Sequence, residues 1–197
     1  LAFWSFRLLS FGVIAILFSI LGFILFNGFS VLSWDFISKM PEDGMTKGGI
    51  YPAIIGTLYL IAGSMVFAFP IGVMSGIYIT EYTRDGIIKR FVKLMTNNLA
   101  GVQSIVFGLF GMAWFVNKMK FGASILAGSL TLGLMVLPVI IRTTEEALLA
   151  VDNGFRHASY ALGATKLQTI SRVVLPMSLP NIITGMILSI GRVSGET

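Results

Sequence analysis

The sequence predicts an all-α fold, a polytopic bundle of membrane-spanning helices. Of 197 residues, 55% are apolar and 12% charged, about half the charged share of an average soluble domain. The charges are grouped, and they leave five uncharged stretches at residues 8–26, 48–80, 94–117, 121–141 and 173–191. Each is long enough for a helix that crosses a bilayer, which needs roughly 20 mostly apolar residues. With no Cys and a single His, disulfides, thiolate metal sites, a Cys nucleophile and a His-rich metal centre are excluded. The net charge of +5 would raise nucleic acid as a partner for a soluble protein. In a membrane protein the same excess reflects loop topology.

The first stretch, 8–26, lacks an A-x-A cleavage site and is followed by four more, so it reads as a helix and not as a signal peptide. Residues 1–47 then form the first helix and an external loop, and 48–197 a core domain. The second stretch is too long for one straight span. Pro52 stands near its start and Pro70 inside it. Proline removes a backbone donor and bends a helix, and membrane helices tolerate this where neighbours satisfy the freed carbonyls. The expectation is a helix over about residues 53–79, kinked near Pro70. The third stretch is read as one span. It holds the polar residues Asn97, Asn98, Gln103 and Ser104, which line a pore or bond between helices. The charged group Glu81, Arg84, Asp85, Lys89 and Arg90 before it reads as a solvated loop. The fifth stretch stops just before Thr197, so a sixth helix returning to the starting side is expected beyond it.

Lys and Arg give the orientation. With the N-terminus inside, the inner segments hold Arg7, Arg84, Lys89, Arg90, Lys93, Arg142, Arg156, Lys166 and Arg172, nine in all. The outer segments hold Lys39, Lys47, Lys118, Lys120 and Arg192. The positive-inside rule favours this arrangement, and it removes the support for a nucleic-acid partner. Gly72 with Gly76, and Gly191 with Gly195, are small-x3-small pairs that allow close helix approach. The same spacing at Gly44 and Gly48 falls in a polar loop, so the pattern by itself names no partner.

Residues 142–176 are the most informative. Thr144 can cap a helix through Ala150, and Asp152 to Gly154 is a turn signal. Residues 155–162 read as a second helix, with Phe155, Ala158 and Leu162 on one face. Gly163 suits a left-handed stop. Lys166 to Val174 resumes as helix, which Leu175-Pro176 ends. The result is a set of short amphipathic helices around a glycine elbow on the inner side. Physics alone leaves it open whether they protrude as a knob or lie on lipid headgroups.

Here the sequence resembles a family. The stretch has His157-Ala158-Ser159, three residues, Gly163, nine residues, Val173, one residue, then Leu175-Pro176. This is similar to the E-A-A-x3-G-x9-I-x-L-P loop of the inner-membrane permeases of binding-protein-dependent ABC importers, with His157 in the place of Glu. The resemblance implies a MetI-like, type I importer fold, in which the loop is a coupling helix. His157, Ala158, Ser159, Gly163, Ala164 and Thr165 would then dock on a cytoplasmic ATPase dimer. Other stretches resemble the phosphate permeases, PstA-type. They are Gly48-Gly49-Ile50-Tyr51-Pro52, Pro70-Ile71-Gly72 running to Thr80-Glu81-Tyr82, the segment from Leu99 to Gly111, Ala161-Leu162-Gly163-Ala164-Thr165, and Gly191-Arg192 with Gly195-Glu196-Thr197. Gln103 stands where the family usually has Pro.

Arg192 and Glu196 are four apart and share a helix face. Were the fifth helix to start at Val173, Arg192 would lie at the far interface and could snorkel. Started at Pro180, a natural first-turn residue, it places Arg192 about 18 Å in, near mid-membrane. A charge there costs roughly 2.5–3.5 kcal/mol on insertion scales and faces a cavity or a partner. The guanidinium fork matches an oxyanion. Glu196 would hold that Arg or lower the local positive charge. The resemblance implies that both lie on the path of phosphate, with Gln103 and Ser104 as further pore-lining candidates.

The leading expectation is therefore a permease subunit in the bacterial inner membrane with its N-terminus cytoplasmic. It would pass phosphate from an external binding protein, beside a second, PstC-type permease subunit. The chain carries no G-x4-G-K-[ST] cradle, so it is not expected to be an enzyme. ATP and Mg are expected on the partner ATPase, and no cofactor or metal on this chain. The alternatives are a permease for another oxyanion, sulfate or molybdate, and a membrane scaffold that recruits a cytoplasmic protein. A membrane-embedded enzyme is disfavoured, because helical neighbours such as Glu145 and Glu146 point about 100° apart.

Overall fold

A computed structural model describes residues 2–29, 32–45, 47–83 and 86–197, with residues 2, 3, 8, 45 and 88 described by backbone alone. Arg84 and Asp85, read above as part of a solvated loop, lie outside the described residues. The chain divides into two compact units, Leu1–Ile55 and Gly56–Thr197.

The first unit holds helix α1, Ala2–Gly28, and a short helix α2, Trp34–Ser38. The Ser33 hydroxyl caps α2 by accepting from the Phe36 amide at 3.2 Å, which satisfies one of the donors that every helix start leaves free. Two short strands follow, β1 (Pro41–Glu42) and β2 (Lys47–Gly48), paired antiparallel. Gly48 closes this hairpin at φ +90° against the Met40 carbonyl, a backbone that only glycine adopts without strain.

The second unit is built on helices with wide turns. Helix α3, Tyr51–Ile77, starts in the first unit and contains Pro70. It continues into a π segment, Tyr78–Tyr82. Helix α4, Ile87–Ala100, and α5, Ser104–Gly111, come next, and a π segment, Met112–Lys118, extends α5. Helix α6, Ile125–Leu149, follows. Then come α7 (Asn153–Ala161), α8 (Lys166–Thr169), a π segment (Ile170–Val174) and α9 (Leu175–Glu196).

Four helical stretches among the described residues are long and apolar enough to cross a membrane: Trp4–Gly28, Tyr51–Tyr82, Ile125–Leu149 and Lys166–Glu196. The third uncharged stretch is bent, and it adds a fifth span if its two parts are taken as one. Its two helical parts, Lys89–Ala100 and Ser104–Lys118, meet at an angle of 95°. Gly101 ends α4, and Gln103 is extended, with φ −69° and ψ 144°. The break, and not the apolar composition, sets the geometry here.

The end of the chain also differs. Leu175-Pro176 does not end a helix, and Pro180 does not begin one. Both prolines lie inside a helical run from Lys166 to Glu196. The Leu175 amide reaches back five residues to the Ile170 carbonyl. This widened turn leaves room for the Pro176 ring, which would otherwise press on the carbonyl four residues before it. Thr144 is likewise no cap: α6 runs through it without a break, and it is fully buried.

Helix α6 is the hub. Its Met135, Val136 and Ile140 form the core with Met65 and Ala68 of α3 and Val193 of α9. Gly72 and Gly76 let α3 come close: a Cβ on Gly72 would stand 2.6 Å from Ile140 Cγ2, and one on Gly76 2.7 Å from Thr144 Cβ. The pair that named no partner in the sequence is thus the α3–α6 contact. On α9, Ser178, Ile182, Gly185, Ser189 and Val193 form a buried stripe at steps of three and four, with Gly185 set against Thr143 of α6. No atom lies within 4 Å of a Cβ placed on Gly191 or Gly195 among the described residues.

Candidate functional site

The segment after α6 forms a compact elbow. The Asp152 carboxylate accepts from the Gly154 amide at 2.6 Å and starts α7. At the other end the Gly163 amide donates to the Tyr160 carbonyl at 2.9 Å and the Ala164 amide to Ser159 at 3.2 Å. Gly163 takes φ +82°, the left-handed stop predicted for it. Thr165 then opens α8 with a capping box: the Gln168 amide donates to Thr165 Oγ1 at 3.4 Å, and the Thr165 amide to Gln168 Oε1 at 2.8 Å. Ser159 and Thr169 hydroxyls meet at 2.9 Å and tie α7 to α8.

No residue of α7 is buried. Phe155 is 49% exposed and Leu162, just past its end, 89%. His157, Ala158, Gly163 and Thr165 are exposed, and Ser159 and Ala164 half-buried. The structure therefore gathers all the loop residues named from the sequence on one short helix and its turn, with the apolar side chains bare. Beneath them, Leu148, Val151 and Val174 form a small core against Ile77 of α3.

One residue of α7 points the other way. The Arg156 guanidinium is 13% exposed, and it donates from Nη2 to Glu81 Oε1 at 2.8 Å and from Nε to the same oxygen at 3.3 Å. It also donates to the Leu148 carbonyl at 2.8 Å, the Val151 carbonyl at 2.7 Å and Asn153 Oδ1 at 3.2 Å. The Leu148 carbonyl belongs to the last turn of α6, and the Val151 carbonyl lies just past it, in the turn to α7. Glu81 is 8% exposed; it is not part of a solvated loop. Sequence reasoning missed this pair, because its members are 75 residues apart and no local spacing joins them. Lys166 Nζ also lies 5.1 Å from the Tyr82 ring centre, within reach of a cation–π attraction.

Beside α6, Lys93 of α4 pairs with Glu145 at 2.5 Å, and Arg142 with Glu146 at 3.0 Å. With Thr96 and Asn97 they line a cavity of about 210 Å³. Asn97, placed in a pore or between helices by the sequence, stands beside this charged pair.

Arg192 is half-buried on the last turns of α9, next to the fully buried Val193, and Glu196 is exposed one turn on; because the helix runs on from Lys166 and does not start at Pro180, the mid-membrane depth expected for Arg192 from that start does not follow. Among the described residues the two form no ion pair, so Glu196 does not hold Arg192 in this structure. Gln103 is exposed at the start of α5 and Ser104 half-buried.

The family described as "binding-protein-dependent transport system inner membrane component" matches residues 68–197. A probable ABC transporter permease protein, YqgI of Bacillus subtilis, is 36% identical over 184 residues, covering 93% of this chain and 63% of the relative. The phosphate transport system permease protein PstA of Mycobacterium leprae is 43% identical over 158 residues, covering 80% and 51%. PstA of Haemophilus influenzae is 32% identical over 171 residues, covering 87% and 60%. The chain thus spans between about half and two thirds of these relatives. Among solved structures, the MetNI methionine ABC transporter in an inward-facing conformation has a TM-score of 0.64 at 24% identity, covering 73% of this chain and 70% of that one. At that identity the likeness is one of fold.

Proposed function

The chain belongs to the family of binding-protein-dependent transport system inner membrane components, and on that premise we propose that it is the membrane-spanning permease subunit of an ATP-driven phosphate importer. The observation that carries this reading is α7, a short helix after α6 on which Phe155, and Leu162 just past its end, are bare while the Arg156 side chain is tied to the helix bundle. That is the form of a docking knob. The elbow seats a cytoplasmic ATPase dimer, which holds ATP and Mg, and α6 and α9 carry its closure into the membrane directly through the backbone. Phosphate as substrate is supported by the PstA relatives, each 32% identical or more over most of this chain.

In this reading the N-terminus is cytoplasmic, an external binding protein delivers phosphate, and a second, PstC-type subunit completes the path. Arg192 offers a planar fork of donors to a passing oxyanion, and the nearby Glu196 carboxylate keeps the site from holding phosphate too tightly. The test is uptake of labelled phosphate by proteoliposomes that hold the whole complex. Accumulation is expected only with ATP inside and the binding protein outside, and an excess of sulfate should not displace it. Displacement by sulfate or molybdate would move the substrate to another oxyanion. Stable ATPase binding with no uptake of any oxyanion would leave a scaffold.

A further inference from the structure

Helices α6 and α9 are joined to the α7 elbow by the chain itself, but α3 is not. Its last turn lies more than 60 residues earlier in sequence, so any motion of α7 reaches α3 through side chains alone. Beyond the packing of α3 on α6 at Gly72 and Gly76, the direct contacts between the elbow and α3 among the described residues lie at the end of α3. Glu81 and Tyr82, from the π segment that ends α3, touch the elbow at two points: Glu81 on Arg156 of α7, and Tyr82 beneath the Lys166 ammonium at the start of α8. Between them, Ile77 packs on Leu148, Val151 and Val174. Tyr78 stacks on Tyr82 with ring centres 6.2 Å apart and planes 12° from parallel, and the Thr80 hydroxyl donates to the Gly76 carbonyl at 2.8 Å. The π segment is thus tied back into its own helix as well as to the elbow.

We propose that Arg156 and Glu81 form a strut that fixes α7 to the end of α3, so that displacement of α7 by the docked ATPase moves α3 together with α6 and α9. Both are positioning residues; neither meets the ATPase or phosphate. The geometry suits the role. Arg156 holds the two ends of the strut at once, gripping the Leu148 carbonyl in the last turn of α6 with Nη2, the Val151 carbonyl just past it with Nη1, and the Glu81 carboxylate with Nε and Nη2. A fork of fixed donors resists rotation as a single ammonium does not. Both side chains are nearly buried, so water competes little for either and the attraction is screened less than at a surface. Without the strut, α7 would turn about Val151 and Asp152 without pulling directly on the end of α3. Wide π turns recur at functional sites, and this one aims Glu81 inward while α3 ends.

The inference rests on the reading of α7 as the ATPase dock, and its test separates the two. In the whole reconstituted complex, Glu81→Gln keeps the shape and an acceptor but removes the charge, and Arg156→Lys keeps the charge but removes the fork. The expected result is that both variants assemble with the ATPase and hydrolyse ATP, while phosphate moved per ATP falls about 5- to 10-fold. A spectroscopic readout needs no transport. The chain has no cysteine, so spin labels on Met74→Cys and Leu162→Cys report the distance from α3 to the elbow. One narrow distance distribution is expected with Glu81 present and a clearly broader one in Glu81→Gln. An unchanged phosphate-to-ATP ratio together with an unchanged distance distribution would overturn the strut. If the parent complex takes up no phosphate but the distribution still broadens, the transport reading fails and the strut stands.

Discussion

Arg192→Ala is expected to reduce ATP-driven phosphate uptake about 100-fold while leaving assembly of the complex unchanged. The size follows from what is removed. A hydrogen bond to a charged group contributes roughly 1.5–3 kcal/mol, and a guanidinium fork can offer two of them to one phosphate. A loss of about 3 kcal/mol in the stability of phosphate at its tightest point is about two decades in rate. Assembly should survive because Arg192 is only half-buried and has no ion-pair partner among the described residues. Its removal strands no opposite charge, which is the usual reason such a change unfolds a protein. Arg192→Lys keeps the charge without the fork and should lie between the two. Initial uptake rates, normalised to complex recovered by affinity capture, give the comparison.

Gly72→Leu is expected to destabilise the helix bundle. The first atom of the new side chain would stand 2.6 Å from Ile140 Cγ2, and Ile140, 1% exposed in the centre of α6, has nowhere to go. Protein interiors are packed like crystals, and forcing extra methylenes into such a place costs about 1–3 kcal/mol or more. For a chain of this length that lowers Tm by roughly 2–12 °C. Gly108→Leu is the matched control: the same residue change in a helix whose glycine has open space around it should leave Tm within about 2 °C. Thermal unfolding in detergent, followed by circular dichroism, measures both.

Much of this fold is written in the sequence in plain physical terms. A helix that meets lipid must be apolar over its length, so uncharged stretches mark α1, α3, α6 and α9. The elbow is legible for a different reason. Asp152 and Gly163 each have a conformation that their own chemistry favours, and each is found where it is expected; the capping box at Thr165 is a local signal that the reading of the sequence passed over. The points where the structure departs from the sequence reading have different causes. Pro176 and Pro180 were taken as helix boundaries because proline lacks a donor, but a wide turn upstream accommodates the first, and the helix continues. The apolar run from 94 to 117 concealed the bend at Gly101 to Gln103, since counting charges says nothing of direction. The Arg156–Glu81 contact joins residues far apart in the chain, and a single sequence carries no sign of such a meeting. The close approach at Gly72 and Gly76 was visible as a pattern, but its partner, α6, was not.

On the function proposed above, the chain receives the work of ATP hydrolysis at the α7 elbow. Because the chain has no cysteine, a single Leu162→Cys places one thiol at the exposed tip of the elbow. Phe121→Cys places one just before the far end of α6, a helix of 25 residues about 37 Å long. Each is treated in the assembled complex with a short thiol-to-amine cross-linker, and the product is identified by mass spectrometry. Cross-linking of Leu162→Cys to the ATPase subunit, at least 10-fold above Phe121→Cys, is the expected result. Equal yields from the two positions, or capture of the ATPase by Phe121→Cys alone, would contradict it.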